Sequence, residues 1–234
     1  MTGQMDTSLY ICAINRHRLS DNPDSVKNII RSVETIYYEN YNNFIYLMDA
    51  FGIDLAGKNA QLWNEADAIS KLGSVPIVLL SDDGYAGFCD PGWELIQIAR
   101  KQDINIYIIP QVSAPISAVL LSGYLSDENY HSFYFGGLIH DKIMSESFVS
   151  GMSAAKSSCS VFLATHPDDD QGLTERLFKQ IYGNSREVTM CFDIGRPSQK
   201  IITSTVESFY GIAKVFKPYD YITYVISPEN VDSL

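Results

Sequence analysis

The chain has 234 residues, 46% of them hydrophobic and 19% charged, with a net charge of −11. That composition excludes a disordered or fibrous chain and leaves room for one large domain or two small ones around a real core. The acidic balance argues against a broad nucleic-acid surface, because neutralising phosphates takes Lys and Arg, though it leaves a local basic groove open.

Four scattered cysteines, Cys12, Cys89, Cys159 and Cys191, include no C-x-x-C pair. They read as buried thiols rather than a zinc or redox centre. His131, His140 and His166 lack metal-ligand spacing, so no metal is expected. The opening Met1-Thr2-Gly3-Gln4-Met5-Asp6 has no basic-then-apolar pattern, and no apolar run is long enough to span a bilayer. A cytoplasmic protein without a membrane partner is the expectation.

In chain order, Leu9 to Ile14 reads as a buried strand. Asp21 or Asn22 then caps a helix with Pro23 in its first turn and Val26, Ile29, Ile30 and Val33 on one face. Thr35 to Glu39 is a second short strand. Phe44, Leu47, Met48 and Phe51 form the stripe of a second helix, which Gly52 ends. A third helix is predicted over Ala60 to Leu72 and a third strand over Val75 to Leu80. Trp93 to Lys101 is helical, Ile104 to Pro110 is a strand, and Pro115 to Leu121 is helical again. This alternation predicts a mainly parallel sheet with helices on both faces. Polar Leu125 to His131 reads as a connection between lobes covering 1–124 and 132–234. Beyond it, strands are predicted at 132–137, 160–164, 188–192, 200–206 and 219–226, with helices near 143–155 and 170–182. Strands that follow one another without a helix imply a mixed sheet. The predicted fold is therefore two α/β lobes with a cleft between them.

The stretch Ser81-Asp82-Asp83-Gly84-Tyr85-Ala86-Gly87-Phe88-Cys89-Asp90-Pro91-Gly92 lies between a strand and a helix. Such a junction places backbone N–H groups and a positive helix end at the carboxyl edge of a sheet, where a polar or charged ligand binds. It resembles the S-D-A-G-x-P-x-x-x-D-P-G element of the tetrapyrrole methylase superfamily of S-adenosylmethionine (SAM) methyltransferases, in the branch of ribosomal-RNA ribose 2′-O-methyltransferases. Leu9-Tyr10-Ile11-Cys12-Ala13-Ile14 matches the opening L-Y-V-V-A-T of that branch, and Phe51-Gly52-Ile53 its F-G-I. Val112-Ser113-Ala114, Ser122-Gly123 and Phe135-Gly136-Gly137-Leu138-Ile139 follow in order. Asn15-Arg16-His17-Arg18 replaces P-I-G-N, Gln111 replaces the Gly of G-P-S-A, and Cys191 to Arg196 keeps little of A-R-E-L-T-K.

The resemblance implies SAM as cofactor and a homodimer. It implies a cofactor site of Ser81, Asp82, Asp83, Gly84, Ser113 and Ala114, with Leu163, Ala164, Thr165 and Phe192 on the adenine side. Asp82 and Asp83 also suit a plain capping role, and the second-lobe residues also suit ordinary core strands. Arg16, His17 and Arg18 follow the first strand, where Arg would fork onto an acidic substrate group or simply be solvated. These three and Tyr85 are candidates for substrate binding. His17, Glu39 and Tyr41 are candidates for the catalytic proton transfer, while Tyr37 and Tyr38 read as packing. Methyl transfer to a small molecule or peptide is the first functional expectation. Ribosomal-RNA ribose methylation, disfavoured by the acidic charge, is the second, and a non-catalytic SAM-binding or scaffold relative the third.

Overall fold

A computed structural model describes residues 7–15, 18–82, 84–88, 90–109, 113–125, 133–139, 146–164, 172–216, 219 and 221–229. The chain divides into two units, 1–113 and 114–234. The first holds β1 (Leu9–Ala13), α1 (Asp24–Ser32), β2 (Thr35–Tyr38), α2 (Tyr41–Phe51), β3 (Asn59–Leu62), α3 (Glu65–Lys71), β4 (Ile77–Ser81), α4 (Trp93–Lys101) and β5 (Ile106–Ile109). The second holds α5 (Ala114–Ser122), β6 (Phe133–Ile139), α6 (Glu146–Ala154), β7 (Cys159–Ala164), α7 (Leu173–Tyr182), β8 (Glu187–Phe192), β9 (Lys200–Thr205), α8 (Phe209–Val215) and β10 (Ile222–Ile226).

In the first unit the strand order is β3-β2-β4-β1-β5, and every pairing is parallel. Alternation along the strands sorts the core into two layers. Cys12, Ile36, Tyr38, Val78 and Leu80 face α1 and α2 through Val26, Ile30, Phe44, Leu47 and Met48. Leu9, Ile11, Tyr37, Ile77 and Leu79 face α3 and α4 through Ala68, Leu72, Leu95 and Ala99. The helices that follow β1 and β2 thus cover one face, while the helix that follows β4, the strand between them, covers the other. That divergence makes the carboxyl end of β4 the switch point, the position at which open α/β sheets bind ligands.

In the second unit the order is β6-β7-β10-β8-β9, mixed in direction. Helices α6, α7 and α8 cover one face through Met152, Leu177, Phe178, Phe209 and Ala213. Helix α5 covers the other through Ala118 and Val119, against Cys159, Val161, Cys191 and Val225. Burying each of these large apolar side chains is worth roughly 1.5–3 kcal/mol. Strand β6 bulges between Phe135 and Gly137. At Gly136 inside the bulge, a Cβ would run into the Phe162 ring.

The predicted two α/β lobes, one parallel and one mixed, match the observed sheets. Three local expectations differ. The span 60–72 is not one helix: polar Asn59–Leu62 forms the edge strand β3, and Asn64 caps α3 by accepting from Asp67 N–H. Pro23, not Asn22, occupies the cap position of α1. The seven-residue α8 has Gly211 in its middle and was not expected. Helix α5 packs on the second sheet and belongs to the second unit; of the expected connection at 125–131, residues 126–131 lie outside the described ones. Gly52 ends α2 in a left-handed conformation, as predicted.

Cys12, Cys159 and Cys191 are buried, and burial pushes each thiol up to about 12. They are inert packing groups at neutral pH; Cys89 lies outside the described residues. Among the described residues no helix is long and apolar enough to cross a membrane. No cluster of His, Cys, Asp and Glu among them is suited to a metal ion.

Candidate functional site

The carboxyl end of β4 finishes at Ser81, which is fully buried and paired with Ala13 at the end of β1. Ile14 N–H donates to Ser81 O at 3.0 Å, extending that pairing by one residue. Next to it β2 ends at Tyr38, and Glu39 reaches across to accept the Asp82 N–H at 3.1 Å. The Asp82 carboxylate in turn accepts from Asn43 Nδ2 at 2.6 Å. Ser81 Oγ donates to Asp90 Oδ2 at 3.2 Å. Three carboxylates therefore surround one strand end. Asn40 holds the start of α2, accepting from the N–H groups of Asn42 and Asn43, and so aims Asn43 at Asp82.

Burial pushes the half-buried Glu39 carboxyl up to about 7. The Asp82 N–H opposes the rise, the Asp90 and Asp82 charges add to it, and the Ser81 hydroxyl opposes it. With its folded pKa above the ordinary 4.5, Glu39 keeps its proton longer in the folded state than in the unfolded one. The folded state then binds more protons between pH 4.5 and 7, so this group's contribution falls as pH rises through that window and stays low above it. With solvent screening of a half-buried group taken into account, the shift corresponds to about 1–2 kcal/mol. Urea titrations of wild type and Glu39→Gln at pH 5, 6, 7 and 8 should show the variant gaining that amount relative to wild type towards pH 8.

The loop that follows is shaped by its glycines. At Gly84 a Cβ would lie 3.3 Å from Asp90 Oδ2, so its absence leaves the mouth of the acidic cluster open. Gly92 caps α4 at φ +112°, and a Cβ there would come 2.6 Å from Leu79 Cδ2. Only glycine suits that combination of left-handed backbone and contact. On the β1 side Asn15 and Asn22 lock the next loop, Asn15 N–H donating to Asn22 Oδ1 and Asn22 Nδ2 to Asn15 O, both at 2.9 Å.

The structure thus brings Glu39, Ser81, Asp82 and Gly84 together. Tyr41 opens α2, is 60% exposed, and its ring sits 6.3 Å from that of Tyr38. Tyr37 and Tyr38 are buried. Arg18 Nε pairs with Asp21 at 3.0 Å in the same loop. Tyr85 is partly buried and packs against the core beneath α3 and α4. Ser113 follows β5, and Ala114 begins α5 in the second unit. Arg16, His17, Asp83, Thr165 and the three other histidines lie outside the described residues. Asn43 and Asp90 are partners absent from the expected site. Asp90 sat inside the D-P-G element, whereas nothing in the residues around Asn43 marks it.

In the second unit Ile139, Ala164, Ile222, Phe192 and Lys200 form one cross-strand row at the end of the sheet. Leu163, Ala164 and Phe192 therefore share an edge. The Phe192 ring, however, is fully buried, 4.8 Å from both Phe216 and Tyr219. Its position in the strand turns it, with Val188 and Met190, toward the core. Asp193 just beyond was not anticipated. It is buried at φ +48° and accepts from Tyr221 N–H and Ser198 Oγ. Its carboxylate lies 3.6 Å from Arg196, whose guanidinium stands 5.0 Å from the Tyr221 ring centroid.

A family model described as Tetrapyrrole (Corrin/Porphyrin) Methylases matches residues 25–210. The chain belongs to the tetrapyrrole methylase family. Its relatives include a ribosomal RNA small subunit methyltransferase I of Mesomycoplasma conjunctivae, 31% identical over 55% of this chain and 51% of that protein. The chain spans about half the length of the first curated relatives it matches. Among solved structures, a putative diphthine synthase from Entamoeba histolytica aligns with TM-score 0.69 at 16% identity, covering 96% of this chain and 94% of that one. A uroporphyrin-III C-methyltransferase from Thermus thermophilus, complexed with S-adenyl homocysteine, aligns with TM-score 0.57 at 10% identity, covering 93% and 96%. At these identities the tetrapyrrole methylases share the fold with this chain.

Proposed function

We propose that the chain is a SAM-dependent methyltransferase whose donor is held at the carboxyl edge of β4. The observation that carries this reading is the trio Glu39, Asp82 and Asp90 around an open switch-point loop, in a chain of the tetrapyrrole methylase family. The residues fit such a donor. Carboxylates complement its sulfonium and ammonium charges, and Gly84 leaves room beside them. Bound SAM supplies an electrophilic methyl group. Asp82 would pair with the ammonium, Ser81 and Asp90 fix the strand end, and Glu39 keeps the Asp82 peptide in place.

For the acceptor we favour a small molecule or peptide, because the net charge of −11 opposes a continuous basic path for RNA. A second reading, ribosomal-RNA ribose methylation, draws support from the names of the curated relatives. Incubating the chain with methyl-tritiated SAM and a size-fractionated cell extract separates the two. Label in fractions of small molecules and peptides is expected. RNase-sensitive label on small ribosomal subunits would replace the first reading by the second. Failure to bind either SAM or S-adenosylhomocysteine in calorimetry would sink both.

A further inference from the structure

Glu39 is the residue of this site that spans two strands. It leaves the end of β2 and takes the backbone N–H at the end of β4. That N–H belongs to Asp82, whose side chain is already held by Asn43. Main chain and side chain of Asp82 are therefore fixed from the same side, one by a group that titrates and one by a group that does not. The groups facing Glu39 are the Asp82 N–H and carboxylate, the Ser81 hydroxyl, and Asp90 from the following loop. The first turn of α2 contributes Tyr41, Asn42 and Asn43, none charged at neutral pH. On the β1 side Arg18 is engaged by Asp21, and Arg16 and His17 lie outside the described residues.

Adding a third negative charge to Asp82 and Asp90 is unfavourable in this half-buried setting, and a cation placed beside them removes the penalty. We propose that Glu39 is a proton-exchanging positioning residue of the donor site: it gives up its proton when the positively charged donor docks, and its carboxylate then holds the Asp82 peptide. The step balances simply. The O–H bond of the Glu39 carboxyl breaks, its electron pair stays on oxygen, and the proton passes to solvent. Once the methyl group has left, the sulfur is neutral and the cluster regains part of its proton. The site thereby distinguishes donor from spent product by charge, and more strongly as pH rises. This inference rests on the donor assignment made above.

Calorimetric titration of the full chain with SAM and with S-adenosylhomocysteine tests it, at pH 6, 7 and 8 and in phosphate and Tris buffers. The difference in heat between buffers counts the protons released. SAM affinity should rise about three- to tenfold from pH 6 to pH 8, with release of a fraction of a proton near pH 7. S-adenosylhomocysteine should show a smaller rise and less release. Glu39→Gln keeps an acceptor for the Asp82 N–H; it should bind SAM with an almost flat pH profile and no release. SAM binding to wild type without proton release would overturn the inference and leave the donor site standing. So would a release that persists in Glu39→Gln. Absence of binding of either nucleoside at every pH would remove the donor site and this inference with it.

Discussion

Gly136→Ala should destabilise the second unit by about 3 kcal/mol in denaturant unfolding. The new methyl group falls on the Phe162 ring, which is fully buried and cannot swing aside. That ring is enclosed by Phe178 at 5.2 Å, Tyr134 at 6.2 Å, Phe148 at 6.3 Å and Tyr182 at 6.5 Å. Relief must come either from the bulge of β6 or from the aromatic layer under α6 and α7, and both are close-packed. Phe162→Leu alone should cost about 1–2 kcal/mol. The double variant should be more stable than the sum of the two losses, by about 1 kcal/mol or more, because the smaller side chain makes room for the methyl group. Additive losses would mean that the clash is not the cause.

Asp82→Ala should weaken SAM binding by about ten- to a hundredfold, or roughly 1.4–2.8 kcal/mol. The variant removes the carboxylate that Asn43 aims into the site but keeps the backbone N–H that Glu39 accepts. Stability should therefore change by less than about 1 kcal/mol, as for a partly buried hydrogen bond. Asp82→Asn separates charge from shape, and a loss of about tenfold is expected from charge alone. Calorimetry gives the affinities and urea titration the stabilities. Unchanged SAM affinity in a folded Asp82→Ala protein would move the donor away from this strand end.

Much of this architecture was legible in the sequence because burial writes itself in apolar runs. Central strands such as Ile77–Ser81 are buried on both faces, and so read as continuous hydrophobic stretches. The edge strand β3 carries no such mark. Asn59–Leu62 is polar and half-exposed, and only its hydrogen bonds to β2 make it a strand. Ser81, Asp82 and Gly84 stand out in the sequence through the Ser81–Gly92 element, whose glycines answer to backbone geometry. Residues that act across elements were harder to see. Asn43 meets Asp82 over 39 positions, and Asp193 meets Tyr221 over 28. No spacing rule links such pairs. Phe192 stands at the end of β8, where strand alternation turns its ring into the core.

The order of strands also bears on how the chain is made. β1 comes early in this chain, yet among the described residues it pairs with β4 and β5. β10 is the last of the described strands and fills the middle of its sheet, between β7 and β8. Neither unit can close its sheet until its final strands are synthesised. At about 5–20 residues per second, β1 waits several seconds with both edges open. Contacts so distant in sequence make for slow folding. Each unit is therefore expected to fold as a whole after its last strand appears, with nascent β1 a natural client for chaperones in the interval.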